Sequence, residues 1–239
     1  MFTKHQHYFI FTTMANKKNT DEDEIIGKQY KEASLVLLFK LNRITTYYTP
    51  LMTEWVDVEN PIFDVVEQGN FDRKLLEAKK NLAGWSEEDL KMKFIAAIID
   101  LGHLVDGDGI VTYFDKKISA TVEGTKLTVK SDFMVARGYL DVFSTPYFHF
   151  QEYKPYKNPS GDSMAQLLEA FLIAQVENKN NKPMYGIEVV GAIWKFVVME
   201  GKEYCISKSY DSLDKEDLLK IIAILRKFKH ILFTRLMLD

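Results

Sequence analysis

A single cysteine, Cys205, stands in a chain of 239 residues, so an internal disulfide framework is excluded and a reducing compartment, the cytoplasm, is the expected setting. No stretch approaches the run of about 20 apolar residues that crosses a bilayer, so no membrane partner is expected. The early run Tyr8-Phe9-Ile10-Phe11 is too short for a secretory signal core, no small-residue cleavage site follows it, and Met14 is an alternative start. Neither sign of charge dominates: 31 Lys and Arg face 34 Asp and Glu, a net charge of −3. That balance gives no global electrostatic case for nucleic-acid binding, so any such surface must be local. Asp106-Gly107-Asp108-Gly109 lacks what a calcium loop needs, because counting from Asp106 puts Lys117 where the bidentate acid belongs. It reads as a plain turn.

What the chain does have is 46% hydrophobic residues, enough for a substantial core. Residues 1–23 are polar and are expected to be weakly ordered. Residues 24–83 read as a helical N-terminal arm: a helix over 24–48, a second over 51–58, and a third over 61–82 with a break at Gly69-Asn70. The arm carries no chemistry; it packs on the core or joins copies of the chain as a homo-oligomer contact. Ser86, with Asp89 three residues on, caps a helix that runs to Leu101. Strand patterns follow over 110–114, 118–122, 126–137 and 147–154, then a helix over 162–177, a long strand over 184–199, a return strand over 203–209 and a last helix from 212. The expected fold class is α/β of mixed α+β kind, a central mixed sheet flanked by helices, with residues 84–239 as the main domain and the helical arm as its extension.

The strand ending in Gln151-Glu152-Tyr153-Lys154 carries a conflict. Alternation puts Glu152 and Lys154 on one face, shared with Phe148 and Phe150. A carboxylate and an ammonium on an apolar face are costly unless paired or bound to a metal. Such conflicts between pattern and polarity are expected at functional sites. His149 falls on the opposite face and reads as a structural histidine, as Cys205 reads as a buried small hydrophobe.

Asp132 on one strand, Glu152-Tyr153-Lys154 on the next, and a following helix with Gln166 in Met164-Ala165-Gln166-Leu167-Leu168 resemble the PD-(D/E)XK nuclease superfamily, the restriction-endonuclease-like fold. More loosely, the chain resembles bacterial proteins of that fold and the N-terminal nuclease domains of type I restriction subunits. The resemblance covers about residues 84–239. The proline of the family's name is absent: Ser131 precedes Asp132. The resemblance implies a helix–three strands–helix–strand core and an Mg²⁺- or Mn²⁺-dependent phosphodiester hydrolase, with a nucleic acid, DNA first, as partner. It implies Asp132 and Glu152 as metal ligands and Lys154 as the charge that orients water or offsets charge at the phosphate. Glu87, with Glu88 as fallback, corresponds to the family's helical acid and would be a further ligand, and Gln166 an orienting donor and acceptor.

Two other classes fit less of the pattern. A catalytically silent member of the fold would bind nucleic acid or a protein partner while keeping the same elements. A two-carboxylate hydrolase of glycosidase type leaves Lys154 and Gln166 without roles.

Overall fold

The computed structural model describes residues 30–238 except 105, 108 and 158. The terminus over 1–23, the start of the 24–48 helix and Asp108 of the turn lie outside the described residues. In chain order the elements are α1 (Glu32–Phe39), β1 (Asn42–Ile44), α2 (Pro50–Val56), α3 (Val65–Asn81), α4 (Glu87–Leu90), a π-helical turn (Lys91–Ile95) and α5 (Ala96–Leu101). Then follow β2 (Val111–Val122), β3 (Thr125–Tyr139), β4 (Val142–Lys154), α6 (Ser163–Asn178), β5 (Met184–Val190), β6 (Ile193–Glu200), β7 (Glu203–Ile206), β8 (Tyr210–Asp211) and α7 (Lys215–Ile231). The fold is mixed α/β. One eight-stranded sheet has the order β1-β7-β6-β5-β4-β3-β2, with β8 beside β6. The β4–β5 and β1–β7 pairs are parallel and the other neighbours antiparallel.

Helices cover both faces of the sheet because its central strands alternate apolar residues on both sides. On one face α2, α3, α5 and α7 bury Trp55, Phe71, Ile98 and Phe228 against Val135, Tyr185, Ile187 and Phe196. On the other, α1 and α6 bury Phe39, Leu168 and Phe171 against Met134, Phe150, Val197 and Met199. Gly186 on β5 lets α6 come close, since a Cβ there would lie 2.7 Å from the Phe171 ring and 2.8 Å from Leu167. No helix among the described residues is long and apolar enough to cross a membrane.

Trp55 ties the N-terminal helices to the sheet. It is fully buried, its indole N–H donates to the Ile224 carbonyl at 3.0 Å, and its ring meets Tyr185 and Phe196 edge-on with centroids 5.1 Å away in each case. Trp55→Ala is therefore expected to cost about 3–5 kcal/mol in urea denaturation. A loss below about 1 kcal/mol would mean that α2 sits loosely on the sheet.

Several elements differ from the sequence reading. The 24–48 helix ends at Phe39: Lys40 turns left-handed at φ 53°, its N–H and that of Leu41 both return to Val36 O, and Asn42–Ile44 joins the sheet edge beside β7. Three residues of edge strand are too few to display a period. α3 runs unbroken through Gly69-Asn70, because Phe71, Leu75 and Ala78 anchor it more strongly than one helical glycine weakens it. The 110–122 region is one strand, bent at Asp115, where φ is 55°. The long strand over 184–199 is a hairpin, β5 and β6, turned at Gly191 with φ 59°. Phe148 does not share a face with Glu152. The β3–β4 register slips between Val135↔His149 and Ala136↔Tyr147, so Phe148 is the extra residue of a bulge and joins the α7-side core.

Candidate active site

The β3–β4 ladder stops at Phe133↔Gln151. One step further Asp132 faces Glu152, and the side chain of Asp132 takes over from the backbone: its Oδ2 accepts the Tyr153 N–H at 2.7 Å. Ser131 closes the same opening, its hydroxyl donating to Phe133 O at 2.9 Å. The strands part here because a carboxylate has replaced a ladder bond.

Counting along the registers places a row of ionisable residues across the sheet. Asp115 on β2 faces Asp132 on β3, which faces Glu152 on β4; Glu152 pairs with Glu188 on β5, and Glu188 with Lys195 on β6. The row falls on the parity of Met134, Phe150 and Val197, the α6 face. It lies toward the carboxyl ends of the parallel strands β4 and β5, where open α/β sheets bind ligands. Asp162 caps α6 there, its Oδ1 accepting the Ala165 N–H at 2.9 Å and its Oδ2 the Glu32 N–H at 3.0 Å.

Glu152 is the anomaly of the row. It is fully buried, and neither carboxylate oxygen has a hydrogen-bond partner. Burial first, and the Asp132 charge second, push its carboxyl well above the usual carboxylate range, while Lys154 and the neighbouring Ser131 hydroxyl pull the other way; that hydroxyl is turned to Phe133 O, so Glu152 does not hold it as a donor. Glu188, in contrast, is satisfied: Ser163 Oγ donates to it at 2.7 Å and Lys195 lies at 3.1 Å. Lys154 is 8% exposed, and among the described residues its one carboxylate contact within ion-pair range is Glu87 Oε2, at 3.9 Å. Beside Lys154 opens a cleft of about 660 Å³, lined also by Lys31, Gly161, Asp162, Ser163 and Val190.

Glu87 starts α4 and Lys91 follows one turn later. The Lys91 ammonium lies 3.0 Å from Glu87 Oε1 and 2.7 Å from Asp132 Oδ1. Burial opposes its charge, but Asp132 and then Glu87 outweigh burial and hold its ammonium above the ordinary lysine range. Asp132 and Glu87 are thus linked through Lys91, with Glu152 opposite Asp132 on the next strand and Lys154 3.9 Å from Glu87. Glu88 is exposed on the outer side of α4. Gln166, in the first turn of α6, has a buried Oε1 without a hydrogen-bond partner and lies beside Gly161 of the cleft. The sequence reading missed Lys91, whose link to Asp132 spans 41 residues, and Glu188.

On the opposite face of β4 a buried polar chain runs from the Tyr153 hydroxyl to Gln151 Oε1 at 2.6 Å and from Gln151 Nε2 to His149 Nε2 at 2.9 Å. Burial holds the His149 imidazole down at about 3, so it is neutral, and its ring packs on that of Phe228, centroids 4.5 Å apart and planes tilted by 35°. It is a core histidine.

The site can be tested for the divalent ion that the family resemblance implies. Among the described residues no three of His, Cys, Asp and Glu are grouped to hold a metal by themselves. Mg²⁺ asks for less, one or two carboxylates with water and phosphate oxygens completing the shell. Glu152, buried without a donor and adjacent to Asp132, fits that demand, and Glu87 stands near the same carboxylate through Lys91. Compared with protein-family models and with curated protein sequences, the chain matches none.

Proposed function

We propose that this chain is an Mg²⁺- or Mn²⁺-dependent phosphodiester hydrolase of PD-(D/E)XK type, a nuclease with DNA as its expected substrate. One observation carries the reading: a fully buried carboxylate, Glu152, stands without a hydrogen-bond partner beside a second carboxylate, Asp132, and near a lysine, Lys154, that lines a cleft. Asp132 and Glu152 would hold the ion, with Glu87 as a third acid. A divalent ion there supplies Lewis acidity, acidifying coordinated water and polarising the phosphoryl oxygen. Lys154 is loosely paired and lines the cleft, so its charge is available to a non-bridging phosphate oxygen. Lys31 adds a second positive charge to the same cleft. Gln166 orients a neighbouring group as a neutral donor and acceptor. The reading assigns the chain to the cytoplasm and leaves the α1–α3 region for contact between copies.

Purified protein with Mn²⁺ or Mg²⁺ is expected to nick or degrade plasmid and single-stranded DNA, and excess chelator to stop it. A second reading has its own support: Asp132 already has both oxygens satisfied, by Lys91 and by the Tyr153 N–H, as a catalytically silent member of the fold would. DNA binding with no cleavage under either ion, and no calorimetric uptake of Mn²⁺, would favour that binding module over the nuclease.

A further inference from the structure

Lys91 has no place in the roles above, yet it is the most highly connected charge of the site. Its ammonium meets carboxylates from three elements: Asp132 Oδ1 of β3 at 2.7 Å, Glu87 Oε1 of α4 at 3.0 Å and Asp115 Oδ1 of β2 at 3.4 Å. The three differ in depth. The Asp132 side chain is 9% exposed, that of Glu87 25% and that of Asp115 48%. Lys91 thus stands between a buried acid and a solvated one. Two backbone features aim it there. Lys91 opens the π-helical turn, its N–H shared between Glu87 O and Glu88 O, and such turns rotate side chains out of the regular helical register. Asp115 sits left-handed at φ 55°, which breaks the course of β2 opposite Asp132, and it also holds Lys130 at 3.3 Å.

We propose that Lys91 is a tethered counter-ion: its ammonium neutralises Asp132 and Glu87 in the ion-free protein and moves to Asp115 when a divalent ion binds, so that Lys91 and Asp115 together set the site's ion affinity. The inference rests on the metal-dependent reading. An ion arriving at Asp132 meets a carboxylate already paired, and must displace that ammonium. The displaced charge needs a nearby acid, since an ammonium held against a divalent cation is repelled. Asp115 is that acid, and it is already in contact. The flexible four-carbon stem of lysine permits so short a shift, where the rigid fork of an arginine would not.

Calorimetric titration of Mn²⁺ into wild type, Lys91→Met, Asp115→Asn and the double variant tests this without reference to activity. Lys91→Met is expected to bind about tenfold more tightly, because no ammonium has to leave. Asp115→Asn is expected to bind several-fold more weakly, because the displaced charge has nowhere to go. In the double variant the Asp115→Asn effect should vanish, the coupling that separates a shared device from two independent charges. Without ion, Lys91→Met should melt below wild type and recover with Mn²⁺. If Lys91→Met does not fold, Lys91→Gln, which keeps a donor to Asp132 without the charge, takes its place in every arm. Unchanged or weaker binding on loss of the Lys91 charge, or an Asp115→Asn effect equal in both backgrounds, overturns the proposal while leaving the nuclease reading intact. No uptake by wild type or by either Lys91 variant defeats the metal-dependent reading itself.

Discussion

Ion-free Glu152→Gln protein is expected to be more stable than wild type at pH 7, and the order is expected to reverse when Mg²⁺ or Mn²⁺ is saturating. The first half follows from a buried carboxylate with no donor to either oxygen. Leaving a buried polar group unpaired costs roughly 1–3 kcal/mol, more when it is charged, and the amide removes the charged form. The pH dependence has a definite sign. Burial and Asp132 raise the carboxyl of Glu152 well above its ordinary 4.5 in the folded protein. The native state then holds a proton that the unfolded chain releases, so wild-type stability falls as pH rises from about 4.5 through the folded-state value and levels off above it. Glu152→Gln lacks that decline, and the two denaturation curves should separate over the same window. The reversal comes from linkage: at a hundredfold excess over the dissociation constant, an ion that binds only the native state adds about 2.7 kcal/mol, and the glutamine variant gains none of it. Urea denaturation at pH 5, 7 and 8, with and without ion, measures both effects. A variant less stable than wild type in ion-free buffer at every pH would mean that Glu152 is satisfied in a way the site geometry does not provide.

The parts of the site that were legible in the sequence rest on local rules. Strand alternation put Glu152 and Lys154 on one face, and the polarity of that face made them conspicuous. Asp132 followed from the resemblance, which asks for an acid on the strand before Glu-x-Lys; counting back from the tip at Leu140 would have set it opposite His149, because two irregularities shift the β3–β4 register. The capping box at Ser86 fixed where Glu87 enters, and it is present with both bonds formed. The sheet flanked by helices was legible for the same reason, since apolar periods change from 3.6 to 2 and back along the chain.

The rest was hidden because it is tertiary or because two local signals cancel. Lys91 reads as an exposed helical lysine with an i,i+4 acid, and only the fold brings Asp132 and Asp115 to it. Glu188 shows the same polarity conflict as Glu152, an acid inside Met184-Tyr185-Gly186-Ile187-Glu188-Val189-Val190, but a strand read as unbroken over 184–199 gave it no neighbour. The turn at Gly191 was masked by apolar residues on both sides, because both strands of that hairpin are central and buried on two faces. The Phe148 bulge leaves no trace in alternation at all: a single inserted residue flips the face of what precedes it and leaves Phe150, Glu152 and Lys154 untouched.

Lys154→Ala is expected to lower cleavage by about 10²- to 10³-fold, the effect of removing one pre-positioned charge from a reacting centre, while leaving Mn²⁺ affinity within about twofold of wild type. Lysine is not a ligand for a hard cation, and among the described residues Lys154 meets no carboxylate closer than Glu87 at 3.9 Å, so its loss breaks no close ion pair and removes only its longer-range pull on Glu152. Asp132→Ala should differ in kind. It removes a carboxylate from the ion, orphans the Tyr153 N–H and takes from the Lys91 ammonium its nearest and most buried partner, leaving it Glu87 and Asp115, so cleavage, ion affinity and stability should all fall. Glu152→Ala should lose cleavage and ion affinity together with a smaller loss of ion-free stability than Asp132→Ala, since the Ser131 hydroxyl beside Glu152 already has Phe133 O as its acceptor. Gln166→Ala should cost less than either, because it supplies orientation and no charge. Glu87→Ala separates two arrangements: weaker ion binding marks it as a ligand, whereas unchanged binding with a misplaced Lys154 marks it as the residue that positions the lysine. Single-turnover cleavage of a labelled oligonucleotide, run beside Mn²⁺ calorimetry on each variant, resolves the pattern. If Lys154→Ala weakened ion binding as much as Asp132→Ala, the division of labour would be wrong, and Lys154 would be a structural partner of Glu87 and Glu152 whose loss lets the two strand ends drift apart.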